Sequence, residues 1–334
     1  MSSGRSTIFK ALAALALLAS PGLIGCTTNE ATGRNQLLAF SRDEEVAIGT
    51  EAQPQLVAEY GGEVPDASLR SYVTNIGLDM AQYTEADYAS LPWEFTLLDS
   101  DVINAFALPG GKVFMSRGLA EKMTNEAQLA SVIGHEIGHV TARHTSERVG
   151  KAMGLQVLAS IAGAAAGYSS SAIVADIVPQ IVGAGGQGYL LKFGREQELE
   201  SDRLGMRYMV RAGYDPKGLE QTMFILKEAA EGARQPEFLS THPHPESRIE
   251  QAQKLIATAY AETQNNPDYK LHEGRYRDRF LARVAMLPPA RHQGLDPNRV
   301  PIAALALSHD PSHHDVDWHD PISWCGVCRA NDQH

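Results

Sequence analysis

The stretch VIGHEIGHVTARH, residues 132 to 144, constrains this chain more than any other. His135 and His139 are four residues apart, so any helix containing them stacks both imidazoles on one face, with Glu136 beside the first. The surrounding residues predict one helix over 125–147. Asn125 is its N-cap, Gln128 completes a capping box, and Leu129, Val132, Ile133, Ile137 and Val140 make an apolar stripe facing a core. The histidine face is shared with Gln128, Ser131, Gly138 and Ala142, which are small or polar, so that face can line a cleft. Two imidazoles a turn apart can share one zinc ion at about 2.0–2.1 Å, and Glu136 can reach a bound water without being a ligand. The competing reading is an exposed polar helix, and a third ligand would decide between the two.

The local sequence does not supply that ligand. A metzincin pattern needs Gly at 142 and His at 145, where this chain has Ala142 and Thr145. His144 is one residue off, and five steps along a continuous helix turn it about 140° away from His139. Between Arg148 and Arg195 the only acidic residue is Asp176, so the nearest dense acidic supply is REQELESDRLG, 195–205. There Glu198 and Asp202 share one helical face, and so do Glu196 and Glu200; periodicity leaves both pairs open. One acid of such a pair can bind the metal while the other accepts a hydrogen bond from a ligand histidine and fixes its tautomer.

Helical spacing also appears over 43–59 and 66–82, then gives way after Pro92 to three strand-like runs: WEFTLLDS (93–100), INAFALPGG (103–111) and KVFMSRGL (112–119). Pro109, Gly110 and Gly111 make the hairpin turn between the last two. Helical patterning resumes at Asn125 and runs to about residue 262, and no repeat of 20 to 50 residues is present. Residues 152–191 are rich in Gly and Ala, but Pro179, glycines and a Ser run break them up, so the expectation is a packed or covering segment rather than a membrane span. Beyond Met286 the chain is Pro-rich and then rich in His and Asp, which predicts a loosely packed tail.

The N-terminus predicts an address. Arg5 and Lys10 precede an apolar run (11–20), and Leu23-Ile24-Gly25-Cys26 resembles a bacterial lipobox. That resemblance implies a signal peptide over 1–25, acylation of Cys26, and a polar linker over 26–41; Thr27 after the cysteine favours the outer membrane. A net charge of −11 leaves no basic patch for a nucleic acid. The other two cysteines, Cys325 and Cys328, read as a local disulfide or free thiols, or as a second metal site with His313, His314 and His319.

HEIGH, the ExxxD of Glu198 to Asp202, NAFALPGG and THPHPESRI together resemble the HtpX- and CAAX-protease-type zinc metallopeptidases, most closely their lipid-anchored or periplasmic bacterial branch, over roughly residues 35 to 265. The resemblance implies one zinc ion per chain held by His135, His139 and Glu198, with Asp202 behind a ligand. Glu136 is then the general base turned acid, and His242 and Arg248 take the family's oxyanion positions. Ser201 stands where many relatives carry Ala. Relatives in this branch that carry a C-terminal tetratricopeptide array differ from this chain. The expected fold is α+β: a mostly helical zincin-type (gluzincin) domain over 42–265 with a small antiparallel sheet beside the HExxH helix, then a C-terminal helix and tail over 266–334.

Ile103 to Leu108 can offer a sheet edge to an extended peptide, with Asn104, Ala105 and Phe106 at the contact. His242, in its Pro-flanked loop, can instead fill the open metal position and keep the enzyme latent. The function expected is an envelope metalloendopeptidase acting on misfolded or stalled exported proteins. The alternatives are a lipid-anchored chaperone or assembly factor with a latent site, and a metal-binding lipoprotein centred on the His/Asp tail.

Overall fold

The computed structural model describes residues 25–151, 193–231 and 236–291. The signal segment before residue 25, the Gly/Ala-rich stretch 152–191, and the tail with Cys325 and Cys328 lie outside the described residues. Among the described residues no helix is long and apolar enough to cross a membrane.

The first described element lies in the stretch expected as a linker. Strands β1 (Gly25–Thr28) and β2 (Asn35–Leu38) pair antiparallel, Cys26 opposite Leu37, and fold back onto the domain. Ala31 and Leu38 are buried there, and polar contacts add to that packing. Asn29 is buried and its amide donates to the Thr141 carbonyl at 2.9 Å, while the Gln36 amide donates to the Ala142 carbonyl at 2.8 Å. Those carbonyls belong to a helix end, where no intrahelical donor exists.

Helix α1 (Arg42–Glu59) starts at a Ser41/Glu44 capping box, and α2 (Ala67–Ala81) starts at Asp66, whose carboxylate accepts from the Ser68 and Leu69 N–H groups. Leu69, Val73, Ile76 and Met80 of α2 recur at helical spacing and are buried. Strands β3 (Glu94–Leu98), β4 (Ala105–Leu108) and β5 (Lys112–Ser116) form the sheet. Gly110 and Gly111 make the β4–β5 turn with φ of 78° and 92°. A Cβ on Gly110 would sit 2.5 Å from the Val46 backbone, so the turn needs glycine on both conformational and steric grounds.

The sheet is mixed rather than wholly antiparallel. Its order is β3-β5-β4, with β4–β5 antiparallel and β3–β5 parallel, Glu94 opposite Lys112. The hairpin carries β5 back into the middle, which turns β5 to run with β3 and leaves β4 as the edge against the HExxH helix.

That helix, α3 (Glu126–Thr141), is buried along its whole length. It ends earlier than the spacing predicts: Ala142 is the C-cap, Arg143 turns into the left-handed region at φ 54°, and helix restarts over 144–151. The Asn29 and Gln36 amides take the exposed carbonyls, and the Arg143 guanidinium binds both Glu45 carboxylate oxygens at 3.0 Å. Helix α4 (Arg195–Arg211) crosses α3 at glycine contacts: a Cβ on Gly205 would lie 2.7 Å from the Gly134 carbonyl carbon and 2.8 Å from the His135 nitrogen. Helices α5 (Lys217–Ala230), α6 (Glu237–Thr241) and α7 (Pro245–Ala257) complete the framework. The packed region extends beyond residue 265. A last helical stretch, 273–284, buries Tyr276 and Phe280 against the ring of Tyr72.

Candidate metal centre

The glycine-mediated approach of α4 to α3 brings one carboxylate within reach of both imidazoles. His135 Nε2 and His139 Nε2 are 3.0 Å apart. Glu198 Oε2 is 3.5 Å from the first, and its Oε1 is 3.4 Å from the second. Metal–ligand bonds of about 2.0–2.1 Å put neighbouring donors of a tetrahedral zinc site about 3.3–3.4 Å apart, so the set fits such an ion. His242 joins the group: its Nδ1 is 3.2 Å from His135 Nε2 and 3.1 Å from Glu198 Oε1. These four residues are the buried group among the described residues that could hold a metal ion.

The protonation states also suit a cation. Burial, then the charge of Arg248, holds the His135 imidazole down to about 4, and burial first of all holds His139 well below its ordinary value. Burial works against ionising Glu198, but His242, Arg248 and His135 outweigh it and hold the carboxyl well below the usual range. Neutral imidazoles facing an ionised carboxylate are what metal ligation requires.

Glu198, rather than Glu196 or Glu200, is the acid that reaches both imidazoles, and Asp202 follows one turn later. Asp202 Oδ1 lies 2.8 Å from His135 Nδ1, so the proton on that nitrogen is held and Nε2 is left free to ligate. Arg248 enters from α7, wholly buried, and grips Asp202 with Nε and Nη2, both at 2.7 Å. Its Nη1 is 3.0 Å from Glu198 Oε2. The guanidinium thus engages Asp202 through two nitrogens, while Nη1, beside Glu198, makes no hydrogen bond among the described residues.

Glu136 is different. Both of its carboxylate oxygens are buried and have no hydrogen-bond partner among the described residues, and His242 Nε2 lies 3.6 Å away. Burial pushes its carboxyl up to about 7. An unpartnered carboxylate beside a metal-ligand cluster is poised to take a proton near neutrality.

His242 caps α6, held by its N–H to the Phe238 carbonyl at 2.7 Å and stacked on the Phe238 ring. His244, at φ 70°, turns the chain into Pro245 and α7. Glu198 and Glu136 raise the His242 imidazole despite its burial. Asn104, Ala105 and Phe106 are buried too. The Asn104 amide donates to Tyr60 Oη at 3.0 Å and to Glu237 at 2.8 Å, while its Oδ1 has no hydrogen-bond partner among the described residues, and Phe106 stacks on Phe114 of the neighbouring strand.

Several residues near the centre escaped the sequence reading. Phe193 stacks on His139 with ring centroids 3.9 Å apart. His144, expected on the far side of a continuous helix, is turned back by the break at Arg143 until its Nδ1 is 2.8 Å from His139 Nδ1. Glu200 and Arg34 stand behind it.

The model of peptidase family M48 matches residues 67–256. The chain belongs to peptidase family M48. It is 34% identical over 228 residues to the beta-barrel assembly-enhancing protease of Escherichia coli (strain K12), covering 64% of this chain and 45% of that protein. It is 28% identical over 244 residues to the mitochondrial metalloendopeptidase OMA1 of Schizosaccharomyces pombe, covering 71% of this chain and 68% of that one. A putative beta-barrel assembly-enhancing protease of Vibrio cholerae matches at 30% over 267 residues, or 76% of this chain and 50% of that protein. The chain thus spans about half the length or less of its bacterial relatives. The M48 match and the gluzincin-like group of His135, His139, Glu198 and His242 describe a metallopeptidase-type domain.

Proposed function

We propose that this M48 chain is a zinc-dependent metalloendopeptidase of the bacterial cell envelope, cleaving misfolded or stalled exported and outer-membrane proteins. The observation that carries the reading is the unpartnered Glu136 carboxylate beside a buried His135, His139 and Glu198 donor set. Zinc bound there supplies Lewis acidity for a water and a peptide carbonyl. Glu136 takes the proton of the attacking water and returns it to the leaving nitrogen. Asp202 and Arg248 hold His135 and Glu198 in place throughout. The edge that β4 forms in the described sheet pairs with an extended substrate backbone, which makes recognition indifferent to side chains and suits unfolded clients.

The lipobox-like segment supports acylation of Cys26 and a place on the periplasmic face of the outer membrane. The E. coli relative's name, an assembly-enhancing protease for β-barrels, supports outer-membrane proteins as clients. Purified chain should carry one zinc and cleave casein, and Glu136→Gln should keep the zinc and lose the cleavage. Cleavage that survives Glu136→Gln contradicts the assignment.

The second reading rests on His242, whose Nδ1 lies at ligand spacing from His135 and Glu198. In that reading His242 fills the fourth position and the chain rests in a latent state, serving as a chaperone or assembly factor until the loop moves. Raised cleavage in His242→Ala supports latency; abolished cleavage supports a catalytic His242.

A further inference from the structure

We propose that His144, Glu200 and Arg34 form a positioning chain that fixes the His139 imidazole for metal binding, as Asp202 and Arg248 do for His135. The proposal rests on the metal site described above.

A histidine that ligates through Nε2 needs a partner for the proton on Nδ1, because that contact sets both the tautomer and the ring orientation. For His135 the partner is Asp202, backed by an arginine. Among the described residues no carboxylate touches His139 Nδ1; an imidazole does, with His144 Nδ1 at 2.8 Å. His144 Nε2 lies 3.1 Å from Glu200 Oε2. Arg34 binds Glu200 in a fork, Nη2 at 2.6 Å from Oε2 and Nε at 2.8 Å from Oε1.

With His144 neutral and His139 ligating through Nε2, this hydrogen-bond order has one assignment. Glu200, ionised in its pair with Arg34, accepts the Nε2–H of His144. His144 Nδ1 is then an acceptor and takes the Nδ1–H of His139. The proton of His139 stays on the outer nitrogen, and its Nε2 lone pair faces His135 and Glu198. His144 is wholly buried and Glu200 nearly so, which keeps water from replacing either contact. The arrangement depends on the helix break at Arg143, since a continuous helix would carry His144 away. It also ties a metal ligand to the β1–β2 turn, eight residues beyond Cys26, through an arginine that no helical pattern singles out.

Arg34 has a second partner that supplies the control. Its Nη2 lies 3.2 Å from Glu147, a buried carboxylate that does not touch His144. The experiment is chelator competition for zinc on the full chain in detergent, with the visible spectrum of the cobalt-loaded chain and the melting of the metal-free chain measured alongside. Contacts behind a ligand typically change metal affinity by about 10–100-fold. Glu200→Ala and Arg34→Ala should weaken zinc binding about tenfold and shift the cobalt bands, and Glu200→Gln and Arg34→Lys should recover part of the loss. Glu147→Ala should lower the melting temperature and leave zinc affinity within about twofold. Wild-type zinc affinity in Glu200→Ala, or an equal loss in Glu147→Ala, overturns the proposal. Should Glu200→Ala not fold, Glu200→Gln decides by the same cobalt bands. A wild-type chain that binds no zinc refutes the metal site itself, which is a different result.

Discussion

Replacing Gly205 by alanine tests whether the glycine crossing of α3 and α4 is what assembles the site. The added Cβ would lie 2.7 Å from the Gly134 carbonyl carbon and 2.8 Å from the His135 nitrogen, both backbone atoms that no side-chain rotation can clear. Reaching an ordinary contact of 3.4 Å requires the two helices to separate by about 0.7 Å. Alanine gains about 1 kcal/mol of helix propensity over glycine, and overpacking costs about 1–3 kcal/mol, so the net destabilisation is about 0–2 kcal/mol. The site feels more than the fold does. Glu198 rides on α4 while both histidines ride on α3, so the gaps of 3.4 and 3.5 Å widen together. At about 4 Å they exceed the donor spacing of a tetrahedral zinc ion. Zinc affinity should fall by about tenfold or more in chelator competition, while the metal-free chain melts only a few degrees lower. Gly194, at the start of the same helix, has open space around its Cβ position, so Gly194→Ala should bind zinc like the wild type. Gly205→Ala with undiminished zinc affinity would refute the reasoning.

Other outcomes follow from single contacts. Ser201 Oγ donates to the His135 carbonyl at 2.5 Å, so Ser201→Ala should lower stability by about 1 kcal/mol in urea titration. Phe280→Ala should cost about 3–5 kcal/mol, showing that residues beyond 265 belong to the folded domain; a cost under 1 kcal/mol would separate them from it. Burial opposes ionising Glu200, yet its bonds to His144 and Arg34 hold the carboxyl down to about 2, so the unfolded chain binds more protons between about 4.5 and 2. Metal-free stability should therefore drop as pH falls through that range, and with a shallower slope in Glu200→Gln. Glu136→Gln should reduce kcat by about 10²–10⁴-fold with zinc content unchanged.

What the sequence showed plainly was local. The stripe of Leu129, Val132, Ile133, Ile137 and Val140, the Asn125 cap and the Pro109-Gly110-Gly111 turn each carry their signal within a few residues, and each is found in place. The spacing of Glu198 and Asp202 was legible as one of two equivalent pairs. Choosing between the pairs needed the family resemblance, because the rotation of α4 about its axis is set by glycine contacts across the crossing. What stayed hidden depended on distant donors. The helix break at Arg143 requires amides from Asn29 and Gln36, more than a hundred residues away in sequence. Once that break is missed, His144 is placed on the wrong side and Glu200 loses its purpose. The parallel β3–β5 pairing was hidden for a related reason: strand order depends on where a hairpin packs, which alternation does not encode.

The most direct measurement is an anomalous-diffraction map of the crystalline chain at the zinc edge. The account predicts one peak per chain, bonded to His135 Nε2, His139 Nε2 and a Glu198 oxygen, with Asp202 on the back of His135. A peak that lies elsewhere, or one whose coordination leaves out Glu198, would contradict it.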